Sequence, residues 1–468
     1  MKKLAAALLL FCAYAVAEAP QAVAIRNARI VTVSGPAIAK GTVVVRNGLI
    51  EAVGDNVPVP ADAWVVDGEG LTVYPGLIDA LSTVGIPGAA PAAAAGGRGA
   101  GRGAAPATPT VTAPAPAAQT EPRAWGPEDR PATTSWLLAA DEIQATDHRI
   151  ETVRSAGVTT AATFPTRGIF AGQGSLVDLI SGEKAGEMVL VPSVGQYISL
   201  SRGGFGGGGG GGGGGFPSSL MGTIAYIRQI YLDAAHYQLV KDAYAHDPRG
   251  MRRPEYDRAL EGVLESKRIL LPANRLVEID RMLRFAAELK QPAILYGARE
   301  AYRPEAAELL KKGGASVLVS LKWPEPPART ADSEDTDTLR TLETRDKAPA
   351  APAALQKAGV KFALYSDGID QPRDFQRAVK KALDNGLSRE DAVRALTLSP
   401  AEIYGVADRL GSIEKGKIAN LVVTRGEIFD DRTKVEMIFV DGRKYTPAAD
   451  TTAPGGRGQT TDNPGGNR

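Results

Sequence analysis

Apolar positions along the chain recur with two different periods, and the switches between them mark its elements. Short or alternating apolar runs at residues 24–33, 42–46, 49–53 and 63–66 read as β-strands. Between them Asn47-Gly48, Gly54-Asp55-Asn56 and Asp67-Gly68 favour tight turns. Further on, apolar runs at 158–164, 188–194, 268–271, 293–296, 316–321 and 361–365 alternate with amphipathic segments at 147–156, 221–245, 274–289, 304–312, 352–358, 374–383, 389–396 and 400–404. That alternation predicts an α/β fold. Strand-like runs return at 419–424 and 435–440, the latter followed by Asp441-Gly442, and together with the first strands they suit one small sandwich drawn from both termini.

Two stretches break the pattern. Residues 87–122 are Ala, Pro and Gly with Arg98 and Arg102, too little apolar bulk to offset ordering entropy, so a solvated, disordered linker is expected. Gly203-Gly204-Phe205 and the run Gly206 to Gly215 lack the Lys-Ser or Lys-Thr of a phosphate-binding loop, and a flexible insert over 203–216 is expected. The glycine insert blurs the third and fourth strands of the alternating pattern.

Met1-Lys2-Lys3, the apolar run to Val16 and the Ala17/Ala19 region have the layout of a secretory signal, predicting export to the periplasm or beyond. That run is too short for a permanent span and no later stretch is long enough, so no transmembrane span is expected in the mature chain. A net charge of +1 over 468 residues offers no reason to expect nucleic acid as a partner. The single cysteine, Cys12, lies in the signal, which removes disulfides, thiolate ligands and a cysteine nucleophile from the mature protein. His148, His236 and His246 are the whole histidine supply.

Pro75-Gly76-Leu77-Ile78-Asp79-Ala80-Leu81-Ser82-Thr83 resembles the first barrel strand of the amidohydrolase superfamily, which usually reads Pro-Gly-Leu-Ile-Asp-x-His-x-His. Ala156-Gly157-Val158-Thr159-Thr160 looks like its second-strand entry. Ala171-Gly172-Gln173-Gly174-Ser175 resembles a loop of the exported, imidazolonepropionase-like branch. Leu396-Thr397-Leu398-Ser399-Pro400-Ala401 and the stretch from Asp408-Arg409-Leu410-Gly411 to Ala419-Asn420-Leu421-Val422-Val423 are similar to the family's C-terminal signature. The resemblance implies a (β/α)8 TIM-type barrel over 75–410 and a composite β-sandwich from 20–74 and 411–447. A signal over 1–19 and a disordered tail over 448–468 flank them.

What the resemblance implies chemically is a divalent metal held largely by histidines, and here this chain departs from it. Leu81 and Thr83 stand at the paired first-strand ligands, which share one side of a strand, and neither replaces an imidazole at a zinc-type site. Related fifth strands read Ile-His-Ala-Asn-Arg, whereas this chain reads Leu271-Pro272-Ala273-Asn274-Arg275, so Pro272 replaces a histidine. Leu295-Tyr296-Gly297 ends the sixth strand without one. Tyr365-Ser366-Asp367-Gly368 keeps the aspartate that binds metal and acts as base in active relatives, which makes Asp367 the candidate catalytic residue; a loop-capping carboxylate is the other reading. Asp370 is a candidate helper and Glu300 a candidate second carboxylate. Lys322, Trp323 and Tyr296 are candidate substrate contacts at the C-terminal mouth, where such barrels work.

His236, three residues after Asp233, reads as a local pair, and Lys184 as a surface charge rather than a carboxylated bridge. Ser175, Ser320 and Ser366 have no base at a recognisable spacing. No cofactor is expected, and the leading expectation is an exported, non-catalytic ligand-binding protein, one that pairs with itself or with a catalytically competent relative. The alternative is a hydrolase of C–N bonds in cyclic amides or peptide-like substrates, using Asp367 with an atypical divalent metal such as Zn or with none.

Overall fold

In a computed structural model of the 468-residue chain, the structure describes residues 22–86, 130, 132–182, 184–200, 217, 219–326, 337–430 and 432–447. The signal, both inserts and the tail expected from sequence lie outside these residues.

Two sheets carry the architecture. In the first, the strands Ala22–Ile30, Ile38–Arg46, Leu49–Gly54, Trp64–Asp67 and Thr72–Pro75 are joined by Leu421–Arg425, Lys434–Val440 and Arg443–Tyr445. The junction is an antiparallel ladder in which Leu421 faces Pro75 and Thr424 faces Thr72. Val23, Ile25, Val43, Val45, Val73, Leu421, Val423 and Phe439 bury one continuous core from both ends of the chain. The composite β-sandwich therefore follows from period-2 patterning at both termini.

The second sheet is a nearly closed, eight-stranded barrel, in the order Leu77–Ser82, Val158–Thr163, Phe170–Asp178, Val189–Ile198, Ile269–Ala273, Ala293–Gly297, Ser316–Ser320 and Phe362–Tyr365. Helices such as Arg149–Ser155, Leu276–Glu288, Pro304–Gly313, Ala351–Ala358 and Pro372–Asp384 pack outside it. Their ends are written locally. Pro304 opens its helix, Lys311 and Lys312 sit in the last turn, and Gly314 closes it at φ 64°.

Side-chain alternation divides the core. Leu271, Leu295, Val317 and Leu364 face the helices, while Leu270, Ile294, Leu318 and Ala363 fill the interior. First and last strands are joined by a side chain: buried Asp79 accepts from the Ser366 amide at 3.0 Å and from its hydroxyl at 2.6 Å.

The segment read as a loop at Ala171–Ser175 is instead the middle of a nine-residue strand, antiparallel to both neighbours. Its glycines misled the pattern. A Cβ on Gly174 would lie 2.1 Å from the Phe164 ring, and Gly172 adopts φ 131°, so close approach and backbone shape demand glycine inside the sheet. The strand expected at 188–194 begins at Val189 and continues to Ile198. Helices Arg258–Glu265 and Leu339–Lys347 went unanticipated. No helix among the described residues is long and apolar enough to cross a membrane.

Candidate functional site

One layer above the apolar plug, each barrel strand that points Leu270, Ile294, Leu318 or Ala363 inward points its next inward residue toward the C-terminal mouth. These are Pro272, Tyr296, Ser320 and Tyr365. From the fourth strand Tyr197 joins them. Its ring stacks on that of Tyr296 with centroids 5.4 Å apart and 26° between planes, and the Tyr296 hydroxyl donates to that of Tyr197 at 2.9 Å. Phe164 packs against Tyr197 at 6.1 Å, and Leu81 is fully buried in the same cluster.

Asp367 stands just beyond the last strand at φ 52°, a left-handed conformation uncommon outside glycine. One carboxylate oxygen accepts from the Ser320 hydroxyl at 2.7 Å and lies 3.8 Å from the Arg299 guanidinium. Burial pushes its pKa up, against the opposing pull of Ser320, Arg299 and Lys322. Burial likewise raises the Tyr197, Tyr296 and Tyr365 hydroxyls far above the usual phenol range, so all three stay protonated. A cavity of about 830 Å³ opens here, lined among others by Tyr197, Pro272, Tyr296, Arg299, Lys322 and Asp367.

The side chains at the inferred ligand positions do not fit a divalent ion. Leu81 offers no lone pair and Pro272 no donor atom. The Thr83 hydroxyl accepts from Arg149 at 3.2 Å, and the same guanidinium donates to the carbonyls of Thr83 and Ile86 while pairing with Asp147 at 2.7 Å. A cation is thus already fixed on the first-strand tip. Among the described residues no group of three His, Cys, Asp or Glu side chains is placed to hold a metal.

Asp367, Lys322 and Tyr296 are brought together in the cavity, and Trp323 is not. Its indole donates to the Ala378 carbonyl at 2.8 Å beneath the helix Pro372–Asp384, because the next residue along points to the opposite side of the chain. Glu300 is also placed elsewhere: it is buried, held by the Arg340 guanidinium and by the Leu276 amide at 2.9 Å, so it serves as a lock between helices. Asp370 is half-buried near Arg149 and Asp147, outside the cavity lining.

His148 is exposed beside Asp147, and His236 lines a separate surface hollow with Asp233, whose carboxylate takes a hydrogen bond from Gln229. The Ser175 hydroxyl donates to the Pro192 carbonyl and Ser366 to Asp79, neither beside a base suited to activate it. Sequence reading missed Tyr197, Arg299 and Arg149; spacing gave no sign of them, since each meets its partner across a long stretch of chain.

Residues 282–445 match the profile of the Amidohydrolase family. An adenine deaminase of Moorella thermoacetica is 33% identical over 69 residues, a stretch spanning 15% of this chain and 11% of that protein. Among solved structures, an amidohydrolase from Thermotoga maritima MSB8 superposes with a TM-score of 0.68 and 26% identity, covering 91% of this chain and 100% of the other. A prolidase complexed with N-methylphosphonate-L-proline shares the fold at a TM-score of 0.51 and 17% identity, over 91% and 100% of the two chains.

Proposed function

The chain belongs to the amidohydrolase superfamily, and from that premise we propose that it is an exported ligand-binding member in which side chains have replaced the metal centre. The observation that carries this reading is the exchange at the mouth: Leu81 buried, Thr83 held by Arg149, Pro272 where a ligand would stand, and stacked phenols above the barrel's apolar layer. These replacements act together. Restoring one ligand would leave the others absent, so the change is one of chemistry rather than of a single residue. A protein of this kind binds a small molecule in the mouth and pairs with itself or with a catalytically competent relative.

The second reading is a hydrolase of C–N bonds, which fits the family and draws on the deaminase and prolidase likenesses. It is favoured by one observation, the raised pKa of Asp367 in a cavity large enough for a peptide-sized ligand. In it Asp367 would take up and return a proton near its raised pKa. One experiment separates the two: elemental analysis of the purified mature protein with an amide and dipeptide turnover screen, run beside Asp367→Asn. We expect less than stoichiometric zinc, iron or manganese after dialysis and no turnover in either protein. Tightly held metal, or turnover abolished by Asp367→Asn, would reverse the order of the readings.

A further inference from the structure

The lining of the mouth cavity is divided chemically. Leu200, Leu220, Ile224, Met282 and Phe285 supply an apolar wall, while Arg299 and Lys322 act together on Asp367. The other acids in the lining are already committed: Glu278 accepts from Arg275 at 2.7 Å and Glu288 from Arg228 at 2.8 Å. Arg284, also in the lining, is paired with Asp280. That leaves Arg299, Lys322 and the exposed Arg281 in a lining whose one uncommitted carboxylate is Asp367, so positive charge is in excess.

Nor is Arg299 well satisfied. Its closest approach to Asp367 is 3.8 Å, and among the described residues its one hydrogen bond is a long 3.4 Å contact with the Lys322 carbonyl and its buried Nε has no partner. A guanidinium has five donors in a fork that suits a carboxylate, and leaving buried donors unmatched is costly. Among the described residues the Lys322 ammonium forms no salt bridge.

We propose that the ligand of this cavity is an amphiphilic carboxylate, its acid group gripped by Arg299 and Lys322 and its apolar body lying on the Ile224, Met282 and Phe285 wall. This rests on reading the mouth as a metal-free binding cavity and adds the chemical class of what it binds. A volume of about 830 Å³ accommodates an aryl or medium-chain acid, and the Tyr197–Tyr296 stack offers a flat apolar surface beside it.

The test is calorimetric titration of the purified full mature chain with phenylbutyrate, phenylbutanol and phenylbutylamine, three probes with one apolar body and different heads. The acid should bind saturably and about tenfold or more tighter than the alcohol, with the amine weakest. Arg299→Gln and Lys322→Gln should each weaken the acid by about tenfold while leaving the alcohol unchanged, and added salt should weaken only the acid. Equal affinities for acid and alcohol, tightest binding by the amine, or no binding by any probe would overturn the proposal. Metal content measured on the same sample keeps the two ideas apart: absent metal without acid preference defeats this inference alone, and stoichiometric metal defeats the metal-free reading beneath it.

Discussion

Arg149 shows how one side chain can do structural work beside positions where the family resemblance implies metal ligands. Its guanidinium is buried, pairs with Asp147 and ties together Thr83 and the Ile86 carbonyl. Asp147 receives further bonds from the amides of Gly85 and Arg149, and these partners hold its carboxyl below the usual range despite burial. Removing one member leaves the other charge without its match. Arg149→Leu should therefore lower stability by about 3 kcal/mol in urea unfolding. Adding Asp147→Asn should recover part of the loss, because the orphaned charge is what costs most. The resemblance singled out Thr83 and Asp367, of which Asp367 lines the mouth cavity and Thr83 is held by Arg149. Spacing had no means of finding Arg149, whose contacts span 66 residues.

At the scale of elements, the antiparallel strand Phe170–Asp178 departs most from the pattern of a parallel barrel. Three glycines at close crossings allow it: Gly172, Gly174 and Gly195 would each put a Cβ within 3.0 Å of a neighbouring side chain or backbone atom. Gly174→Ala should cost about 2 kcal/mol in urea unfolding, and the loss should shrink in a Phe164→Leu background, where the obstructing ring is gone. The helices were legible from a periodicity that buries one face, and the parallel strands from short apolar runs buried on both faces. This strand is buried on both faces and carries little β-branched bulk in its first half, so its composition resembles a turn.

For the whole molecule the decisive joint lies between barrel and sandwich. Asn420 donates to the buried Asp178 carboxylate at 2.7 Å and accepts from the Asp441 amide at 2.7 Å, while Thr160 donates to the same carboxylate at 2.8 Å. Burial raises Asp178 to about 7 and Asp79, at the barrel seam, to about 6, against an ordinary 3.8. Between those values the folded state holds protons that the unfolded chain has released. Each carboxyl thus contributes stability at low pH that is lost as pH rises through 6 to 7. The thermal midpoint should fall between about pH 5 and 8 on this account, and Asp178→Asn should flatten the upper part of that slope. A midpoint that rises across the interval in the parent protein would show that other groups govern the joint.

Sequence alone determined the fold class, the composite sandwich, the order of most strands and helices, and which residues stand where the resemblance implies ligands. These follow from local periodicity and from residue identity at named positions, neither of which needs a partner in space. Only the tertiary structure decided that Trp323 and Glu300 leave the site, that Tyr197 and Arg299 enter it, and that a guanidinium holds the tip of the first strand. The physical reason is register. Inward and outward alternate residue by residue along a strand, so the membership of the mouth depends on how eight strands align, and no single segment carries that information.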